Sequence, residues 1–236
     1  MTLLSAIIQQ GFREANIIPI GATPSTNELA EGLKRLQSLI LSSLGMEGGE
    51  QLSTLPIGNN NVTQPTTFVP EPPAYLPSNV RLLCNLTVAK TLYLNPNPQD
   101  GARLAVVDAS ANFNTYNLTL NGNGRKVDGA TTDVLSTNSQ SIQYFYREDL
   151  ADWKVISSLA SSDEMPFPEE YDDMFVIMLA LRLGPRNNQK IPQESVVMME
   201  RSRDQFRARY AQIVATPADP AVLSRRGGGN ILNGWA

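Results

Sequence analysis

Six carboxylates fall within 11 residues: Asp163, Glu164, Glu169, Glu170, Asp172 and Asp173. Paired carboxylates can move protons in glycan cleavage or bind a divalent cation. Their spacing matches no known metal loop. The plainer explanation is a solvated helix start, where acids complement the helix dipole. A second group is basic: Arg201, Arg203, Arg207, Arg209, Arg225 and Arg226, opposed by Glu200, Asp204 and Asp219. Guanidinium groups suit phosphates and carboxylates. A solvated helix face with i,i+4 pairing, an acidic partner and passing nucleic acid all fit this group. The net charge of −4 argues against sequence-specific DNA binding.

A third group lies in the last 21 residues. Arg225, Arg226, Gly227, Gly228, Gly229, Asn230, Ile231, Leu232, Asn233, Gly234 and Trp235 follow Pro217 and Pro220. The glycines let a backbone approach a partner closely. Ile231, Leu232 and Trp235 are apolar anchors with no core of their own, and Trp and Arg are frequent interface hot spots. The segment reads as a docking tail of roughly 70 Å reach when extended. A frayed terminus is the alternative, and one Arg-Gly-Gly copy is a weak signal for RNA.

Other features exclude chemistry. The chain has 236 residues, one cysteine and no histidine. That rules out a Ser-His-Asp triad, a Cys-His dyad, His-ligated zinc and an intrachain disulfide. Cys84 sits on the apolar phase of a strand and reads as inert core. Gly122-x-Gly124 lacks the rest of a dinucleotide fingerprint and reads as a turn. Met174, Met178, Met198 and Met199 read as core or adaptable interface. No catalytic, cofactor or metal site is expected. The start MTLLSAIIQQ lacks a basic n-region, and no 18-residue apolar run occurs, so neither a secretory leader nor a membrane span is expected. Charged residues make up 18%, below the usual quarter, a composition common inside assemblies.

The positioning elements follow from periodicity. Leu3, Leu4, Ile7, Ile8 and Phe12 predict a helix over 2–15. Ser25 and Glu28 form a capping box before the stripe Leu29, Leu33, Leu36, Ile40 and Leu44, with Gly45 as the stop. Residues 46–79 hold six prolines from Pro56 to Pro77 and predict an extended connector. From Val80 the period becomes two. Strands are predicted over 80–88, 91–94, 102–108, 113–120, 141–147 and 153–156, with 121–124 as a hairpin turn. Pro168 and the acids after it predict a helix ending at Gly184-Pro185, and another runs over 192–214 through Val196, Met199, Arg203, Phe206, Tyr210 and Ile213.

The expected fold class is therefore α+β. A discontinuous four-helix domain (1–60 and 160–215) is interrupted by a Pro-rich connector and an antiparallel sandwich or barrel-like β insert (61–159). The insert projects from it, and an extended tail (216–236) follows.

The outer segments resemble a family. The pieces are Ser25-x-x-Glu28-Leu29-x-x-Gly32-Leu33-x-x-Leu36, Phe167-Pro168-x-x-Tyr171 leading to Ala180-Leu181-Arg182-Leu183-Gly184-Pro185, and Arg207-x-x-Tyr210-Ala211. They look like the head-to-tail connector adaptor of short-tailed bacteriophages, the packaged-DNA stabilisation or tail accessory factor family. The middle of the chain is similar to β modules of phage structural proteins. The resemblance implies a non-enzymatic virion protein at the portal vertex, assembled in the host cytoplasm. It implies a ring, usually of twelve copies, beneath the portal protein. The ring extends the channel for double-stranded DNA and carries the nozzle, hub or fibre proteins. Carried onto this chain, it implies that Arg225–Trp235 docks on the portal. Arg201, Arg203, Arg207 and Arg209 then lie near the portal or a neighbouring subunit. Asp172 and Asp173 are charge partners for such arginines. Two other readings stay open. One is a carbohydrate-binding or fibre-anchoring module using Tyr93, Tyr116, Tyr144, Tyr146 and Trp153, although alternation places most of these in sheet faces. The other is a carboxylate-dependent glycan hydrolase.

Overall fold

The computed structural model describes residues 2–44, 52–58, 75–187 and 191–210. Among these residues the chain is α+β, with four α-helices and two β-sheets. Helix α1, Leu4–Glu14, buries Leu4, Ile7, Ile8, Gly11 and Phe12. Of the expected stripe only Leu3, just before the helix, faces out. Helix α2, Thr26–Ser43, begins at the expected capping box. The Glu28 amide donates to Ser25 Oγ (3.4 Å), and the Ser25 amide donates to the Glu28 carboxylate (2.7 Å). The Ser25→Ala variant is expected to lose about 1 kcal/mol of stability, read as a lower thermal midpoint. Gly45, the expected stop, lies outside the described residues.

Pro168 precedes a one-turn 3-10 segment, Glu169–Tyr171, that leads into α3, Asp172–Leu183. Helix α4 is Gln193–Tyr210, and the remainder of its expected span falls outside the described residues. Met199, Phe206 and Tyr210 bury its stripe. All four helices share one core, as their amphipathic faces require. Gly32 permits the close packing of α2 on α1: a Cβ there would lie 2.5 Å from Ile8 Cγ2 and 3.0 Å from Phe12 Cε2. Polar links join the early and late helices. Arg35 Nη1 donates to the Arg182 carbonyl (2.8 Å), and Arg182 Nη1 donates to Ser38 Oγ (3.0 Å). Among the described residues no helix is long and apolar enough to cross a membrane.

Among the described residues the insert holds nine strands: β1 Ser53–Ile57, β2 Val80–Cys84, β3 Lys90–Tyr93, β4 Arg103–Asp108, β5 Leu118–Asn121, β6 Lys126–Val127, β7 Thr132–Leu135, β8 Ser141–Arg147 and β9 Asp152–Val155. One sheet has the order β1-β2-β4-β8-β9-β6 and the other β3-β5-β7. The expectation of an antiparallel insert is corrected. The β1–β2, β2–β4, β3–β5 and β6–β9 pairs are parallel, and β4–β8, β5–β7 and β8–β9 are antiparallel. The chain alternates between sheets from β2 to β5, so each strand lies beside the one two places earlier and runs the same way. Tyr75 bridges Tyr93 in the same parallel sense, extending this winding by one step. Period-two patterning reports which face is buried but not which strand is the neighbour, so direction was not legible.

Three local expectations change with it. Residues 121–124 do form a turn, with the Arg125 amide donating to the Gly122 carbonyl (3.0 Å). The turn does not join a hairpin, because β5 and β6 belong to different sheets. The strand expected from 113 begins only at Leu118, after a turn that buries Phe113. Residues 53–57, assigned to the helical domain and its connector, pair with β2 and belong to the insert. Pro56 is tolerated there because β1 is an edge strand.

The six-stranded sheet has two covered faces. Leu104, Val106, Ile142, Tyr144 and Tyr146 join the core shared with the second sheet. On the opposite face, Ala105 and Phe145 join the helical core. The Phe145 ring meets Phe167 edge-on at 5.1 Å and Tyr210 at 4.9 Å. The insert therefore packs against the helices over this face instead of simply projecting from them.

Candidate functional site

The acidic cluster is one run in sequence and two places in space. Bends at Pro166 and Phe167 and the 3-10 turn lie between Glu164 and Asp173. Glu170 and Asp173 line a groove of about 640 Å3 together with Gln10, Arg13, Glu14, Met174, Ile177, Ser195, Met198, Met199 and Ser202. Its residues come from α1, from α3 and the turn before it, and from α4. Asp163 and Glu164 line a second groove, of about 450 Å3, with Asp128, Asp133, Lys154 and Met165. Among the described residues no group of three or more His, Cys, Asp or Glu side chains could hold a metal ion.

Within the second groove, the Tyr144 hydroxyl donates to Asp133 (2.5 Å), and burial pushes the Tyr144 phenol well above its ordinary value. Burial also raises the Asp128 carboxyl, with Asp152, Asp133 and Asp163 adding to it and Lys154 opposing. Asp163 Oδ2 accepts from the Ala160 amide at 2.7 Å. This carboxylate therefore shapes its own loop.

The two predicted charge partners at the start of α3 differ. Asp173 is exposed and Asp172 is half-buried. Burial raises the Asp172 carboxyl, Glu169 and Asp173 add to this, and a hydrogen bond from Thr2 opposes it. The acids otherwise sit where the helix dipole favours them.

The predicted arginines of α4 divide similarly. Arg201 and Arg207 are exposed, and Arg203 is half-buried on the stripe between Met199 and Phe206. Arg209 is engaged within its own chain. Its Nη1 pairs with Glu170 at 2.6 Å, and its Nε pairs with Asp100 at 3.2 Å. It thereby ties α4 both to the turn before α3 and to the turn before β4. Its guanidinium carbon also lies 5.3 Å from the Tyr210 ring centroid. Arg225, Arg226, Gly227, Gly228, Gly229, Ile231, Leu232 and Trp235 lie outside the described residues.

Sequence reasoning missed the arginines between insert and helices. Arg103 is 6% exposed, and its Nη2 donates to the carbonyl of Tyr210, the last described residue of α4 (3.2 Å). Burial lowers its pKa. Arg147, also buried, forms a two-point pair with Asp149 (2.6 and 3.0 Å). A signal existed: odd positions of these strands also carry apolar residues, Ala105, Val107 and Phe145, which a purely solvated second face would not need.

The aromatic candidates are mostly structural. Tyr144, Tyr146 and Trp153 are buried in the inter-sheet core, whereas Tyr93 and Tyr116 are half-buried. Cys84 is fully buried and its thiol is pushed up to about 12, first by burial and then by Asp108, against Lys90. A thiol held protonated is a poor nucleophile. No protein-family model matches the chain, and a comparison with curated proteins finds no match.

Proposed function

We propose that the chain is a ring-forming structural adaptor of a short-tailed phage virion. It sits beneath the portal, extends the DNA channel, helps to retain packaged DNA and carries tail proteins. The supporting observation is the charge layout of the helical unit. An exposed carboxylate at Asp173 begins α3, and exposed guanidiniums at Arg201 and Arg207 stand on α4. A closed ring needs two complementary faces per subunit, repeated head to tail. Opposite charges on one unit supply groups that two such faces would use. The β insert, read as a sandwich-like module wound between two sheets, then offers the platform for nozzle, hub or fibre proteins. Twelve copies is the number the family resemblance implies.

The test is to mix the full chain with the portal ring of the same genome and to measure complex mass. The same measurement on a chain ending at Ala215 isolates the tail. A ring's worth of added mass, lost on truncation, supports both adaptor and docking tail. Ring addition by both chains keeps the adaptor and removes the tail's role. No binding by either chain overturns the adaptor. Charge reversal at Asp173 is the better probe of the subunit contact, since Asp172 is half-buried and bonded to Thr2. Unchanged ring formation by Asp173→Lys excludes that contact.

A further inference from the structure

The groove between α1, α3 and α4 has a chemistry that the helical fold does not need. Glu14, Glu170 and Asp173 line it, as do Met174, Met198 and Met199. Glu170 is already paired with Arg209 at 2.6 Å, and the Arg13 Nη2 donates to the Ala22 carbonyl (3.1 Å), so Glu14 and Asp173 are the carboxylates open to a further cation. Glu14 and Asp173 are exposed. Met198 is 72% exposed, a large apolar side chain facing water from a helix whose other apolar side chains are mostly covered. Methionine is unbranched and polarizable, so a methionine-lined surface adapts to ligands of varied shape.

The same chain carries a segment of the complementary kind. Arg225 and Arg226 are followed within nine residues by Ile231, Leu232 and Trp235. Two cations suit the carboxylates, and the apolar anchors suit the methionines. Ser202 and Tyr210 are about 12 Å apart along α4. The 15 residues from Tyr210 to Arg225 can span up to about 50 Å, so the segment reaches the groove of its own copy with slack. Tethering sets its effective concentration there on the order of a millimolar, so a weak contact suffices.

We propose that this groove is the seat of the chain's own C-terminal segment, with Arg225 and Arg226 on its carboxylates and Trp235 among its methionines. The inference concerns the free chain and does not rest on the adaptor reading. In the free chain the seated segment covers Met198. A partner that takes up the segment uncovers the groove.

The two tryptophans allow a direct test on the full chain. Trp153 is 1% exposed, so a solute quencher such as acrylamide reports chiefly on Trp235. The expected result is a shielded, blue-shifted Trp235 in the native chain. Met198→Lys, which removes the apolar contact and repels Arg225 and Arg226, is expected to abolish the shielding and shift the emission to the red, and Val88→Lys, at an exposed residue of the insert, is expected to leave both unchanged. Added salt is expected to weaken the shielding. The double change Arg225→Glu with Arg226→Glu gives the same loss without touching the helices, which covers the case of a poorly folding Met198 variant. A Trp235 equally accessible in all chains overturns the proposal, as does shielding that survives both changes. Shielding that rises with protein concentration also overturns it, and assigns the groove to the tail of a second copy.

Discussion

Phe206→Ala is expected to destabilise the protein by about 3–5 kcal/mol. Phe206 is fully buried on α4. Its ring meets Phe167 and Tyr171 edge-on at 5.0 Å, Tyr210 at 4.9 Å and Phe175 at 5.8 Å. Edge-on pairs contribute about 0.5–1.5 kcal/mol beyond the area they bury. The loss is large because neighbours on α3, the 3-10 turn and the segment before it cannot all move into one vacated site. Phe145 of β8 reaches the same cluster, so the insert's hold on the helices weakens with it. The measurement is a urea unfolding curve. Val197→Ala, at an exposed residue of the same helix, is the control and is expected to stay within about 0.5 kcal/mol. A Phe206→Ala cost below about 1 kcal/mol is incompatible with a well-packed cluster.

Asp108→Ala is the second large effect, about 3 kcal/mol. Asp108 ends β4 and is 7% exposed. Its carboxylate accepts from the Phe113 amide (3.2 Å), the Ser139 amide (3.0 Å) and Ser110 Oγ (3.4 Å). It therefore fixes the two loops that flank the β5–β7 pair. Truncation leaves these donors unpaired, at about 1–3 kcal/mol for each one buried. Burial pushes the carboxyl up, but the amides of Phe113, Asn112, Ser139 and Ser110 outweigh it and hold the pKa below its ordinary value. The native state therefore favours the ionised form. That stability is fully present above the unfolded-state pKa, near 4, and is lost as pH falls through the lower native value. Asp108→Asn is expected to be less stable at neutral pH and to lack this part of the acid loss. Parallel stability profiles for the two proteins between about pH 5 and 2 exclude the role.

The helices were legible because each carries a local signature. The Ser25–Glu28 box, the Pro168 start and the stripe through Met199, Phe206 and Tyr210 involve neighbours a turn apart. Strand β8 was legible for the same reason, since Ile142, Tyr144 and Tyr146 alternate against Gln143 and Phe145. The pairing of β2 with β4 was not, because it joins residues some two dozen positions apart through a strand of another sheet. The short β6 was invisible to periodicity: two residues define no period, and Val127 is held there by β9. Of the candidate site, the acidic run was visible but its division between two grooves was not. That division depends on where the chain turns, and α1, which supplies Arg13 and Glu14, lies some 150 positions away. Arg209 looked free because its partners, Glu170 and Asp100, lie 39 and 109 positions away in sequence.

The hydrogen bond from Arg35 to the Arg182 carbonyl joins positions 147 residues apart. During synthesis at about 5–20 residues per second, α1 and α2 emerge on the order of ten seconds before α3 can reach them. Through that interval Ile7, Ile8, Leu36 and Ile40 have no late-helix surface to rest on. Such a nascent chain is a natural client for a chaperone, and its yield is expected to depend on translation speed and temperature more than its final stability suggests. Once α4 is complete the two ends lock together, and the insert is closed off between the first and last helices to be made.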